Sequence, residues 1–303
     1  MSLVINHNMM AANVARNLNS HYANLSKSTQ RLSTGLRVNS AADDAAGLAI
    51  RELQRADIAA LQQGARNAND AISLIQTADG ALGIIDEKLI RMKELAEQAA
   101  TGTYDSTQRL MIESEYQAMA SEITRIANAT DFNGIHLLNG NLSSDTHDGS
   151  GNGADSGLDS TGKLKVHFGS GNDSTEDYYY IRIGNSTASA FGVGNSADPH
   201  SLAYTVSTQQ AAQSALVGLT QAIVSKDKIR AHLGAMQNRL ENTITNLTTQ
   251  AENLQAAESR ISDVDVATEM TQFVRNQILT QSAVAMLSQA NSMPQMAMQL
   301  IGG

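Results

Sequence analysis

The feature that most constrains this chain is a set of apolar residues recurring every seven positions over long stretches. Leu18, Leu25 and Leu32 open the series, interleaved by Tyr22, Thr29 and Leu36. A second set runs through Leu61, Ala68, Ile75, Leu82, Leu89 and Ala96, with Ala65, Ile72 and Asp79 interleaved. A third runs through Leu233, Leu240, Leu247, Leu254 and Ile261. Alternating steps of four and three keep one stripe of a helix turned toward a partner, as at the a and d positions of a coiled coil. One such seam also suits an ordinary amphipathic helix in a bundle. Three of them point to an elongated helical bundle, and a helix over residues 208–261 would span about 80 Å at ~1.5 Å per residue.

Punctuation divides the pattern. Gly35 stands where a first helix could end, and Ser40 followed by Asp43 reads as a capped restart. Gly102 closes the second seam, and a further helix is expected from about Ser106 to Ala129. Residues 141–205 differ in character: a run rich in Asn, Ser, Asp and Gly is turn chemistry. Two strand candidates interrupt it, at 164–168 and 178–183, the latter rich in β-formers. This stretch carries eight acids against Lys163, Lys165 and Arg182, so five of the nine net negative charges lie here. It reads as a small solvent-facing β insertion, with a partly disordered loop as the alternative.

Composition excludes several functions. The chain has no cysteine, which removes disulfides, thiolate nucleophiles and Cys-ligated metals. A net charge of −9 without a basic run argues against nucleic acid. The seven histidines are scattered, with no i, i+4 pair, so no metal is expected. Thr161-Gly162-Lys163 resembles the end of a phosphate loop, but Leu164 follows and the upstream glycine is missing. The stretch 148–159 lacks the closing Glu of a Ca²⁺ loop. Asp43 and Asp44 fit a helix start better than an acid–base pair. Neither catalytic residues nor a cofactor are expected, and the chain reads as no enzyme. The first residues lack the basic, apolar and small-residue regions of a cleaved secretory signal.

The two ends are unusual. No Asp, Glu, Lys or Arg occurs in residues 1–15 or after Arg275. The C-terminal stretch still carries Ile278, Leu279, Val284, Leu287, Leu300 and Ile301. Eight of the twelve methionines (1, 9, 10, 270, 286, 293, 296 and 298) lie at the ends. Gln281, Gln289, Gln295 and Gln299 are costly in hydrocarbon, and a membrane-surface helix would carry Lys or Arg on its polar face. Membrane insertion is therefore not expected. What fits is a protein–protein core, where uncharged polar groups satisfy one another and no lone charge is desolvated.

Three segments resemble bacterial flagellins: LSTGLRVNSAADDAAGLAI at 32–50, DFNGIHLLNG at 131–140 and SRISDVDVATEMT at 259–271. The likeness covers about residues 1–140 and 208–303, and departs at Ser262, where the family has a charged residue. It implies a mainly α, hairpin-shaped helical bundle or coiled coil with a small β-rich insertion. Residues 1–40 and 263–303 would be the filament-core helices, disordered in the monomer. Residues 41–140 and 206–262 would be the two halves of a rod domain, and 141–205 a variable surface insertion.

The resemblance also implies a subunit that polymerises with itself into the extracellular flagellar filament for motility, after export through the flagellar type III apparatus. Its partners would be an export chaperone, the filament cap and hook-associated proteins. Leu18, Leu25, Leu32, Ile278, Leu279, Val284, Leu287, Leu300 and Ile301 would form the self-assembly core. Arg91, Leu95 and Glu115 match the family's recognition face for the innate receptor Toll-like receptor 5. The competing expectations are a hook–filament junction protein and a coiled-coil scaffold unrelated to motility.

Overall fold

The computed structural model describes residues 8–143, 162–174, 176–194 and 203–301. In order it contains α1 (Met9–Thr34), α2 (Ala45–Ala100), α3 (Ser106–Ala129), β1 (Asp131–Phe132), β2 (Ile135–His136), β3 (Leu164–His167), β4 (Tyr178–Ile181), α4 (Ala188–Phe191), α5 (Gln209–Ser262) and α6 (Val266–Ile301). Helices dominate, and the described strands make two antiparallel pairs, β1 with β2 and β3 with β4. The chain forms two compact units, one of Met1–Ile58 with Glu252–Gly303 and one of Ala59–Ala251, so the division falls inside α2 and α5. The possible phosphate loop and the 148–159 stretch begin in or lie within residues outside those described.

In the first unit α1 ends where the glycine allows it. Gly35 has φ +72° and returns its N–H to the Arg31 carbonyl at 2.8 Å. The restart differs from the expected one: α2 begins at Ala45, and its cap is Asp44, whose carboxylate accepts from the Gly47 N–H at 2.9 Å. Ser40 closes the preceding turn and its hydroxyl donates to Asp43 at 3.3 Å, and Asp43 lies 2.6 Å from the Lys27 ammonium. The hydrogen bond from Lys27 holds the Asp43 carboxyl below its ordinary pKa. The segments joining α1 to α2 and α5 to α6 clasp each other. Arg37 N–H donates to the Ser262 carbonyl at 2.6 Å, and Val264 N–H to the Gly35 carbonyl at 3.0 Å. Ser262 is buried in that clasp, where a small side chain fits.

The second unit holds the larger core. Leu61, Ala68, Ile75, Leu82, Leu89 and Ala96 are all buried, as the seven-residue spacing predicts. The interleaved row is not the expected 65, 72 and 79. It is Gly64, Ala71, Ala78, Ile85, Met92 and Ala99, one position earlier, all buried. The small residues that open this row hid it from a reading by hydrophobicity, yet they are what let a neighbouring element approach α2 closely. A third row, Leu74, Ala81 and Leu95, is also buried, which widens the stripe beyond a strict two-row seam. On α5 the matching row is Ala212, Leu219, Lys226, Leu233, Leu240 and Leu247, all buried, with one charge inside it.

The hairpins follow from their turns. Asn133 and Gly134 have φ +52° and +81°, the left-handed pair that a two-residue hairpin needs between Phe132 and Ile135. Strands β3 and β4 pair Leu164 with Ile181 and His167 with Tyr178. Val166 and Ile181 face inward, and Phe168 meets Tyr179 with ring centroids 4.6 Å apart. Both expected strands are thus present, each shorter at its C-terminal end.

Candidate assembly surfaces

Helices α1 and α6 run antiparallel in the first unit. Asn8 Nδ2 donates to the Ala290 carbonyl at 2.8 Å near one end, and Arg31 lies 3.5 Å from Glu269 near the other. Between these points the described residues bury little: Ser28, Thr280 and Ala290, alongside Glu269. Leu18, Leu25, Leu32 and Leu287 are only half-buried. Ile278 is 57% exposed, Val284 46% and Leu279 36%. The pairing therefore leaves much of the expected self-assembly set facing outward. Of Leu300 and Ile301 only the helical backbone is described. Pro294 sits within α6 without ending it.

This distribution has a physical reading. An isolated soluble helix pair buries its large apolar side chains and exposes charge. Here the buried residues are small or polar, and the leucine, isoleucine and valine side chains are half-buried or exposed. Because α6 carries no charge beyond Arg275, its outer face can be desolvated without stranding an ion. An exposed apolar surface of this kind marks a site that packs against something.

A second surface lies on the other unit, where α2 meets α3. Arg91 donates through Nε and a terminal nitrogen to one Glu115 oxygen at 3.0 and 2.8 Å, and through its other terminal nitrogen to Glu94 at 3.0 Å. Its hydrogen bonds to Glu115 and then to Glu94 hold the guanidinium pKa above its ordinary value. Arg91 and Glu115 are thus brought together on the surface. Leu95 is not with them: it is 2% exposed, part of the third buried row of α2. Periodicity could have placed it there, since Leu74, Ala81 and Leu95 share a seven-residue register. Exposed apolar residues that the sequence reading passed over, Leu110 and Met111, lie on α3.

Polar contacts inside the second unit were also missed. Lys226 Nζ meets Asp86 at 2.5 Å and Asp227 at 2.8 Å, and Arg230 grips Asp79 at 2.7 and 3.1 Å. Among the described residues no group of three or more His, Asp or Glu could hold a metal ion, and no helix is long and apolar enough to cross a membrane.

Comparison with known proteins decides what these surfaces belong to. Residues 5–143 match the bacterial flagellin N-terminal helical region, and residues 208–301 the bacterial flagellin C-terminal helical region. The chain is 41% identical to a flagellin of Halalkalibacterium halodurans over 99% of this chain and 100% of that one. The chain belongs to the bacterial flagellin family. It is a structural subunit of the flagellar filament. The flagellar filament 33 kDa core protein of Treponema phagedenis is 40% identical over 99% of this chain and all of its own. A solved structure from Vibrio parahaemolyticus, provisionally named a flagellar hook-associated protein, aligns with TM-score 0.53 at 14% identity, covering 73% of this chain and 100% of that one. At that identity the likeness is one of fold alone.

Proposed function

We propose that this flagellin polymerises by burying the outward faces of α1 and α6 against the same helices of neighbouring copies. The observation that carries this reading is the exposure of Ile278, Leu279 and Val284 on a helix end with no formal charge. Contacts between unlike faces of identical subunits do not close on themselves and so propagate into a fibre. On the free chain these helices are marginal, because little apolar surface holds them together. They order when copies associate. Residues 1–40 and 263–303 are then the filament-core segments, 41–140 and 206–262 the rod halves, and 141–205 the outward insertion. Export runs through the flagellar type III apparatus, and the chain meets an export chaperone, the filament cap and hook-associated proteins on its way. Removal of residues 276–303 tests the reading: the truncated chain stays folded in its second unit and forms no filaments. Long fibres from the truncated chain would overturn it.

The surface of Arg91 and Glu115 supports a second role for the monomer, recognition by Toll-like receptor 5. Two of the three matching side chains stand together and exposed. Leu95 then acts from beneath, by packing the turn of α2 that presents Arg91. A reporter-cell assay with Glu115→Ala monomer checks this: the response falls if the paired carboxylate is part of the contact, and an unchanged response removes it.

A further inference from the structure

The pairing of α1 with α6 gathers part of the chain's methionine at one end of the first unit. The Asn8–Ala290 hydrogen bond sets the end of α1 that carries Met9 and Met10 against the C-terminal half of α6, which carries Met286, Met293 and Met296. Four of these five are exposed: Met9 65%, Met10 44%, Met286 59% and Met296 48%. Elsewhere Met92 and Met236 are 0% and 7% exposed, Met270 farther back on α6 is 44% and Met111 on α3 is 69%. With no cysteine in the chain, thioethers are its only sulfur.

A thioether sulfur attacks one oxygen of hydrogen peroxide, the O–O bond breaks, and the products are methionine sulfoxide and water. The sulfur loses two electrons and the peroxide gains them. Accessibility selects which methionines react first, and a flexible apolar side chain becomes a polar acceptor that reductases can restore. On an exposed helix this change is tolerated. In a contact that must exclude water it leaves an acceptor unsatisfied.

We propose that Met9, Met10, Met286 and Met296 form an oxidation site on the free chain, at which sulfoxide formation blocks addition to the filament until a methionine sulfoxide reductase reverses it. The inference rests on the reading of α1 and α6 as the surfaces buried on assembly. It also makes the outcome depend on order, since chains already assembled shield the same sulfurs.

The test treats full-length chain with hydrogen peroxide before or after polymerisation, maps the sulfoxides by mass spectrometry and measures the critical concentration for assembly. Oxidation first is expected to mark the four methionines and raise that concentration roughly tenfold or more, and reductase treatment to restore it. Oxidation after assembly leaves them unmarked and the filaments intact. A variant with leucine at all four positions keeps the side-chain volume and is expected to assemble equally well with and without peroxide. Met111→Leu, which removes an exposed methionine from α3, gives no such protection. Normal assembly of chain oxidised at all four positions overturns the proposal and leaves the assembly reading standing. Failure of untreated chain to polymerise overturns the assembly reading itself. If the four-leucine variant does not assemble, reductase rescue of the wild-type chain decides: recovery supports the proposal, and no recovery overturns it.

Discussion

The Lys226 ammonium lies 2.5 Å from an Asp86 carboxylate oxygen, in the middle of a row of α5 residues that is otherwise apolar. Lys226 is 2% exposed and Asp86 27%, so the contact spans the edge of the seam between α2 and α5. Seven residues from Asp86 along α2, Asp79 meets Arg230, which lies four residues beyond Lys226 on α5. The two bridges together are compatible with one antiparallel register. A leucine seam alone is nearly degenerate to a slip of seven residues, and a buried polar contact removes that degeneracy at some cost in stability.

Removing one partner is therefore more damaging than removing the charge. Asp86→Ala leaves Lys226 buried with only the solvent-facing Asp227, and is expected to lower stability by about 2–3 kcal/mol. Lys226→Met fills the same space without a charge and is expected to be neutral or mildly stabilising, its cost appearing as less specific pairing. Urea denaturation of the two variants measures the difference. Equal losses would show that packing of the lysine stem, and not its charge, matters at this position.

Alkaline pH acts on the same unit. Burial alone would lower the Lys226 pKa, but hydrogen bonds to Asp227 and Asp86 outweigh it and the net shift is upward. Burial, and then the Glu113 charge, push the Tyr116 phenol up as well. Both groups hold their protons in the folded chain at a pH where the unfolded chain releases them, so their contribution is complete below about pH 10 and is lost as pH rises through the folded values. Tyr116 also donates to the Ala203 carbonyl at 2.7 Å, so Tyr116→Phe is expected to cost about 1 kcal/mol near neutrality. Combined with Lys226→Met it should flatten the fall in denaturation midpoint above about pH 10. An unchanged slope would assign the fall to other groups.

Close approach explains a position that hydrophobicity cannot. A Cβ built on Gly64 would overlap the Phe168 carbonyl, which is backbone and cannot rotate away. Asn67, one turn on, donates to the His167 carbonyl at 2.9 Å. Gly64→Ala is expected to push the β3–β4 hairpin off α2 and cost about 1–3 kcal/mol. Faster amide exchange in β3 and β4, with α5 unaffected, is the signature to look for.

These cases mark what could be read in advance. The leucine row of α2 and the limits of α3 followed from periodicity and turn residues, because burial on one helical face imposes a period that composition cannot hide. The second row of α2 did not follow, since Gly64, Ala71 and Ala78 bury by proximity and carry almost no hydrophobic signal. Lys226 was unreadable for a related reason: a charged residue in a seam looks like an interruption until its partners on another helix are known. Leu95 was misplaced because likeness of motif specifies a position and says nothing about which way the side chain faces.

For the exposed pair the expectation is an absence of effect on folding. Arg91 and Glu115 are each close to half-exposed, and such pairs contribute little to stability. Glu115→Ala should leave the denaturation midpoint and the helical circular dichroism unchanged. Any loss in receptor signalling can then be assigned to contact. A shifted midpoint would instead make the pair a structural link between α2 and α3.

Leu279 separates folding from assembly in the same way. Its side chain is 36% exposed on the single chain, so Leu279→Asp should leave the monomer's second unit folded. In a polymer that buries the uncharged face of α6, the same aspartate must lose water, and Arg275, one turn back, is the one cation of α6 within its reach. Polymerisation is expected to fail at neutral pH and to recover in part on acidification through the carboxylate range, where the side chain becomes neutral. Leu279→Asn, polar but never charged, should assemble with an intermediate critical concentration. If the aspartate variant forms filaments as readily as the parent chain at neutral pH, this face of α6 stays wet in the polymer and the buried surface lies elsewhere on the helix.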